Sequence, residues 1–451
     1  MMSDLLHDAY QRALRYQETL EDRPVFPNAE MLEHLKEFDE DLPTESQAAG
    51  STLELLEQAG SPATVACTGG RYFGFVTGGA LPITIATNWL TTAWDQNGAF
   101  FATSPVVAKI EEVVLGWLVE LFGLPAGSAG AFVTGATMAN FTGLAAARHA
   151  LLARQGWDVE TKGLFGAPEI KVVVGEEVHV SVLKALSLVG FGRERVIRVP
   201  VDAQGRMIAG ELPPLDDQTI VCAQAGNVNS GAFDPLRELG QQTNAAGAWL
   251  HIDGAFGMWA LASPQFATLM DGVELADSWS LDAHKWLNVP YDSGIALCKH
   301  PEHLQAAMTA TAAYLTPSPY REPANFTPEF SRRGRTVDVW AALRTLGRQG
   351  LASLIERHCH FAQTFAAQLS QAGYTVHNEV VLNQVVVSFG EAATTERVIE
   401  AIQQEGTFWA GKTTWQGHTA MRISVSGWAT TEHDVQRSLN ALLKIAQTIS
   451  G

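Results

Sequence analysis

Apolar residues recur at helical spacing through the first 60 or so positions: Leu6, Tyr10, Ala13 and Leu14, then Leu32, Leu35 and Phe38, with breaks at Pro24 and Pro27. The pattern predicts helices whose apolar face must pack on something else. A second helical register begins at Ser104-Pro105, where serine can cap and proline fits the first turn. Val106, Ile110, Val113, Leu118 and Leu121 predict its buried stripe, and Gly123 and Pro125 its end. From Ala131 to Cys298 short apolar runs alternate with helical ones, the pattern of a mostly parallel sheet covered by helices. Past Leu304 the chain turns helical and then irregular, with prolines at 317, 319, 323 and 328. A long loop of that kind is often a lid. Long helices follow, and then strands (384–389) alternate with helices (393–404 and 432–449) in an α+β pattern. The expected organisation is a helical arm over 1–80, a large α/β domain over 81–345 and a smaller α+β domain over 346–451.

Polar residues gather where the short apolar runs stop. In AFVTGATMANFTGLAAAR, Gly135, Ala136 and Thr137 open a helix, and the free N–H groups of such a start can receive a phosphate. His179 enters a helix in EEVHVSVLKA, and Asn227 and Asn229 lie in the turn of TIVCAQAGNVNSGAFDP. Asp253 closes the apolar run of WLHIDGAFG and is followed by Gly254 and Ala255. Asp282, His284 and Lys285 come from SWSLDAHKWLNVPYDSG. Each set falls at or beyond a strand end, where open sheets bind ligands. A lysine between His284 and Trp286 is out of place as a solvated surface charge, and is a candidate reactive amine. Asp253 stands 32 residues upstream of it. An aspartate at one strand end and a lysine beyond a later one suit a pyridoxal phosphate site, where the carboxylate keeps the pyridine nitrogen protonated and the lysine carries the aldehyde as a Schiff base.

These segments resemble the group II pyridoxal-phosphate-dependent amino-acid decarboxylases, which include the aromatic amino acid, histidine and glutamate enzymes. The similarity runs from about Arg71 to about Asp434, and its most specific piece is DAHKWLNVPYDSG. The resemblance implies an aspartate-aminotransferase-like (type I) fold and a homodimer whose N-terminal arm wraps the partner; the arm's own chain is the alternative for it to pack on. It places the cofactor against Gly135, Ala136, Thr137, His179, Asn227, Asp253, Ala255, Asp282, His284 and Lys285, with His179 flat over the ring. Asn227 or Asn229 stands where the family usually has threonine. Phe73, Phe75 and Thr77 of RYFGFVTGGAL are implied as a substrate wall, with Trp89 a further pocket candidate. Arg422 of TAMRISVSGW is implied as the partner of the substrate carboxylate, and its planar fork suits that task.

The implied reaction is decarboxylation of an amino acid to an amine. A lid tyrosine usually returns the proton in the family. Here no tyrosine stands at the equivalent distance before Arg332, Arg333 and Arg335; the aromatics leading there are Tyr320, Phe326 and Phe330. Tyr320 after a shift, or His179, is left for that role. Two alternatives stay open: aldehyde-forming oxidative deamination, which relatives with phenylalanine at that point perform, and a cofactor-binding homologue without turnover.

Composition adds bounds. At 451 residues, 46% hydrophobic and 17% charged, the chain is long enough for a large domain and a small one. A net charge of −18 argues against nucleic acid and anionic membrane surfaces as partners. Cys67, Cys222, Cys298 and Cys359 are far apart with no CxxC, which suggests neither disulfides nor a metal site. The N-terminus mixes acids and bases without an apolar core, so no signal peptide is expected, and a cytoplasmic location follows.

Overall fold

The computed structural model describes residues 2–310 and 319–450. The start of the proline-rich loop, including Pro317, lies outside them. The chain divides into two compact units, one formed by Ala80–His360 with Asn378–Gln384, the other by the residues up to Gly79 with Phe361–His377 and those from Val385 onward.

The larger unit is built on a seven-stranded sheet: β1 (Ala129–Val133), β2 (Lys171–Gly175), β3 (Ile197–Val199), β4 (Thr219–Gln224), β5 (Trp249–Asp253), β6 (Ser278–Asp282) and β7 (Gly294–Cys298). Their order is β1-β7-β6-β5-β4-β2-β3. β7 runs antiparallel to both of its neighbours, and the other six strands share one direction. β2, β4 and β7 carry continuous runs of Val, Ile, Leu, Ala and Cys, as a sheet covered on both faces requires, while β5 and β6 carry His251, Ser278 and Ser280 among their apolar residues. The Ala136–Arg154 helix lies on the sheet through Ala139, Leu144, Ala146, Ala147, Ala150 and Leu151, small side chains that let backbone come close. It also packs with Val182, Ala185, Leu186 and Val189 of the Val180–Val189 helix. That second helix stops at Gly190, whose φ of 97° only glycine adopts without strain.

The smaller unit carries β8 (Thr375–Val376), β9 (Gln384–Ser388), β10 (Gly411–Trp415) and β11 (His418–Ser424), ordered β10-β11-β9-β8. The Ala392–Glu405 and Glu432–Ser450 helices accompany them. The Met2–Thr19 helix of this unit buries none of its residues.

One stretch departs from the expectation. The Pro105–Leu121 helix forms, but its buried side is Val107, Ala108, Glu111, Val114, Leu115 and Leu118, and Val106 is exposed. The stripe is turned by about one residue because a carboxylate belongs to it: Glu111 is fully buried and paired with the equally buried Arg332. Ser104 precedes this helix without capping it, since its hydroxyl donates to Gln96 Oε1 at 2.8 Å. Among the described residues no helix is long and apolar enough to cross a membrane.

Candidate active site

Five of the six co-directional strands place candidate site residues at or beyond their C-terminal ends. Gly135, Ala136 and Thr137 follow β1, His179 follows β2, Asn227 follows β4, Asp253 ends β5 and Lys285 stands three residues beyond β6. Parallel strands in register bring such positions to one edge, and this is why residues 150 apart in sequence meet.

Lys285 is held from both sides of the chain. Its neighbour Trp286 is fully buried and donates its indole N–H to His358 Nδ1 at 2.8 Å. Burying an indole removes roughly 200 Å² from water, on the order of 5 kcal/mol, so packing fixes this turn. The lysine Nζ lies 3.0 Å from Asp282 Oδ2, and the other oxygen of Asp282 accepts the Ala136 N–H at 2.5 Å. Asp282 is therefore doubly compensated, by an ammonium and by the positive end of a helix. His284 Nδ1 accepts the Ser293 N–H at 3.1 Å, which leaves the ring proton on Nε2, 3.5 Å from Asp282 Oδ1. Burial pushes this imidazole below its ordinary pKa. Tyr291 stacks on it at 4.3 Å. Gly135 keeps the edge open: a Cβ there would stand 3.3 Å from His284 Cε1 and 3.4 Å from Asp282 Oδ1.

Asp253 is as buried as Asp282 but has only neutral partners among the described residues. Its oxygens accept from the Ala255 N–H at 3.1 Å and from Asn140 Nδ2 at 3.3 Å, with Ser280 Oγ at 3.5 Å. His179 caps the Val180–Val189 helix by accepting the Ser181 N–H on Nδ1 at 3.2 Å, so a neutral ring carries its proton on Nε2. Asn227 Oδ1 accepts the N–H groups of Asn229 and Ser230, while its buried Nδ2 and the buried Ser293 hydroxyl have no partner among the described residues.

The remaining candidates have other surroundings. Tyr320 is exposed and stacked on Phe101 at 3.8 Å. Phe326 is buried under the Arg321 guanidinium, and Phe330 is tilted against Phe100. Arg335 bonds Asp292 and Glu329, and Arg333 bonds Asn88. Trp89 is exposed on the Pro82–Trp94 helix. Phe73, Phe75, Thr77 and Arg422 belong to the smaller unit. There Phe73 is fully buried against Phe365 and Phe408, Phe75 is exposed with its ring on Trp409, and Thr77 is buried. Arg422 projects from β11, and burial lowers its guanidinium to about 10.

Reading the sequence misses Asn140, Ser181, His251, Ser278 and Ser280, which are buried around Asp253. One signal was available: Asn140 stands one helical turn after Ala136, on the face already assigned to the ligand.

The profile of the pyridoxal-dependent decarboxylase conserved domain matches residues 33–389. An aromatic-L-amino-acid decarboxylase of Bacillus atrophaeus is 29% identical over 315 residues, covering 67% of this chain and 63% of that protein. An aspartate 1-decarboxylase of Aliivibrio fischeri is 32% identical over 313 residues, 62% of this chain and 56% of that one. The chain thus spans less than two thirds of either relative. Among solved structures, an Oryza sativa enzyme described as TDC with PLP and tryptamine superposes with a TM-score of 0.91 at 22% identity, covering 100% of this chain and 98% of that one. A Rhodiola rosea 4-hydroxyphenylacetaldehyde synthase does so at 0.87 and 20%, covering 100% and 98%. At these identities the structures establish the fold.

Proposed function

The chain belongs to the pyridoxal-dependent decarboxylase family, and from that premise we propose that it removes the carboxyl group of an L-amino acid as carbon dioxide and releases the amine. One observation carries the reading: Asp253, a buried carboxylate whose partners are all neutral, lies at the strand end next to the one that presents the Lys285 amine. A buried anion without a cation is costly. A protonated pyridine nitrogen is the cation that would relieve it.

The residues present fit pyridoxal phosphate. Lys285 would hold the aldehyde and Asp253 the ring nitrogen. The helix start at Gly135, Ala136 and Thr137 would receive the phosphate, and the unpartnered Asn227 Nδ2 and Ser293 Oγ are donors available to ring or phosphate oxygens. Asp282 and His284 border the same edge, and the Ala255 N–H holds Asp253 in place. When bound, the cofactor supplies an electron-withdrawing ring that accepts the electrons left by the departing carboxyl group. Asp253 would keep that ring charged, and Asp282, 3.0 Å from the Lys285 Nζ, would hold that amine as an ammonium whenever it is not bonded to the aldehyde. His179 brings an Nε2 proton to the site, and it or Tyr320 returns a proton to the substrate carbon. Phe73, Phe75 and Thr77 are proposed to line the substrate side and Arg422 to pair its carboxylate. The unburied Met2–Thr19 helix supports a homodimer, which we place in the cytoplasm.

A second reading, aldehyde formation, is favoured by the engagement of Tyr320 with Phe101. Carbon dioxide, amine, peroxide and ammonia measured from a panel of twenty amino acids separate the two. Amine in step with carbon dioxide supports decarboxylation; peroxide and ammonia in step with carbon dioxide overturn it in favour of the aldehyde.

A further inference from the structure

A continuous chain of buried hydrogen bonds runs behind Asp253. Trp249 Nε1 donates to Ser278 Oγ at 2.9 Å, Ser278 Oγ lies 2.8 Å from His251 Nδ1, and His251 Nε2 lies 2.8 Å from Asn140 Oδ1. Ser280 Oγ donates to the same Asn140 oxygen at 2.5 Å. On its other side Asn140 Nδ2 reaches Asp253 Oδ2 at 3.3 Å and Ser181 Oγ at 3.5 Å, and Ser181 Oγ lies 2.7 Å from His179 Nδ1.

The direction of every bond is fixed by its ends. A carboxylate only accepts, so Asn140 must turn its NH₂ toward Asp253 and its oxygen toward His251. His251 therefore donates from Nε2, and its Nδ1 accepts the Ser278 hydroxyl, whose lone pair takes the indole N–H. Burial lowers His251 to about 4, which keeps the ring neutral near pH 7. At the other end Asn140 donates to Ser181, whose hydroxyl donates to the unprotonated Nδ1 of His179. One amide thus serves the carboxylate and, through a serine, the imidazole.

A second observation shows that the fold makes room for this arrangement. Gly143 lies inside the Ala136–Arg154 helix, where glycine costs about 1 kcal/mol relative to alanine. A Cβ there would stand 3.0 Å from both Cε1 and Nδ1 of His251. The helix is notched to admit the ring that bonds Asn140 one turn earlier.

We propose that Asn140 is a positioning residue that, backed by His251, holds Asp253 and His179 in one shared orientation toward the cofactor ring. The proposal rests on the decarboxylase reading and extends it to residues that touch neither cofactor nor substrate. Losing such a supporting partner typically costs 10–100-fold.

The test uses the full chain reconstituted with pyridoxal phosphate, comparing wild type with Asn140→Ala, Ser181→Ala, His251→Leu and His251→Gln. Asn140→Ala is expected to lower kcat roughly 10–100-fold with KM little changed, and to shift by about one pH unit the titration of the bound cofactor's visible absorption. Ser181→Ala cuts only the His179 branch, so kcat falls less and the absorption titration stays in place. His251→Gln keeps an N–H for Asn140 and should retain about tenfold more turnover than His251→Leu. Nitrogen NMR of the cofactor-free protein adds an independent readout, with His251 as the neutral Nε2–H form in wild type and altered in Asn140→Ala. Should Asn140→Ala lose only thermal stability, with kcat per folded molecule and the absorption titration unchanged, the residue is a packing element and the proposal is overturned. A wild-type chain that takes up no cofactor would instead sink the decarboxylase reading, and the proposal with it.

Discussion

Two aspartates stand at the ends of adjacent parallel strands, equally hidden from solvent, and the sequence around them provides opposite company. Asp282 is met by the Lys285 ammonium and a helix N–H. Asp253 is met by an amide and a backbone N–H. The first carboxylate is neutralised by the chain itself. The second has no cation beside it among the described residues. The contrast fits the proposed roles, one carboxylate holding the reactive amine and the other serving the ligand, although both are buried aspartates in strand-ending motifs.

Four predictions break or sharpen this contrast. Lys285→Ala removes the amine altogether: turnover falls to background, and the visible absorption of protein-bound cofactor, read by spectrophotometry, is lost. Asp253→Ala removes the counter-ion of the ring but leaves Lys285 to anchor the aldehyde, so the protein retains some cofactor while kcat, measured by carbon dioxide release, drops roughly 10²–10³-fold as for other preorganised electrostatic partners. Normal rates in that variant would show that Asp253 has no role toward the ring.

The third prediction concerns the support behind Asp253. His251 is held neutral with its pKa lowered from 6.5 to about 4 by burial. Above about pH 6.5 the ring is neutral in both folded and unfolded chains. As pH falls toward 4 the unfolded chain takes up a proton that the folded one refuses, so this group's contribution declines by up to about 3 kcal/mol. Asp234 opposes it: burial raises that carboxyl to about 6, so its contribution is greatest in acid and is lost as pH rises from 3.8 through 6. Urea unfolding of Asp234→Asn should therefore show a steeper loss of stability from pH 6.5 to 4.5 than wild type. An identical slope would contradict the assignment.

The smallest effect is expected at Asp282. Asp282→Asn keeps an acceptor for the Ala136 N–H but drops a negative charge beside the helix start, so pyridoxal phosphate should bind up to about tenfold tighter, by fluorescence titration of the cofactor-free protein. Weaker binding would mean that the carboxylate itself helps hold the cofactor.

Much of the fold was legible in the sequence because the strands are short, mostly apolar runs and most of the polar candidates cluster where they stop. Asp253 and Lys285 could be read locally for the same reason. The supporting set could not. Asn140, Ser181, His251 and Ser278 come from four helix and strand segments, and their hydrogen bonds exist only where those segments cross. The buried face of the Pro105–Leu121 helix was misjudged on like grounds: Glu111 looks like a solvent-facing residue until Arg332, 221 positions away, is placed against it. Hydrophobic periodicity finds apolar burial and is blind to buried charge that a distant residue compensates.

The central claim is that the Lys285 amine, opposite Asp253, is the group that condenses with the cofactor aldehyde. Borohydride reduction of the protein loaded with pyridoxal phosphate, followed by peptide mass spectrometry, tests it most directly. The account predicts one phosphopyridoxyl group per chain, on Lys285. A reduced protein carrying no label there, or carrying it on another lysine, would contradict it.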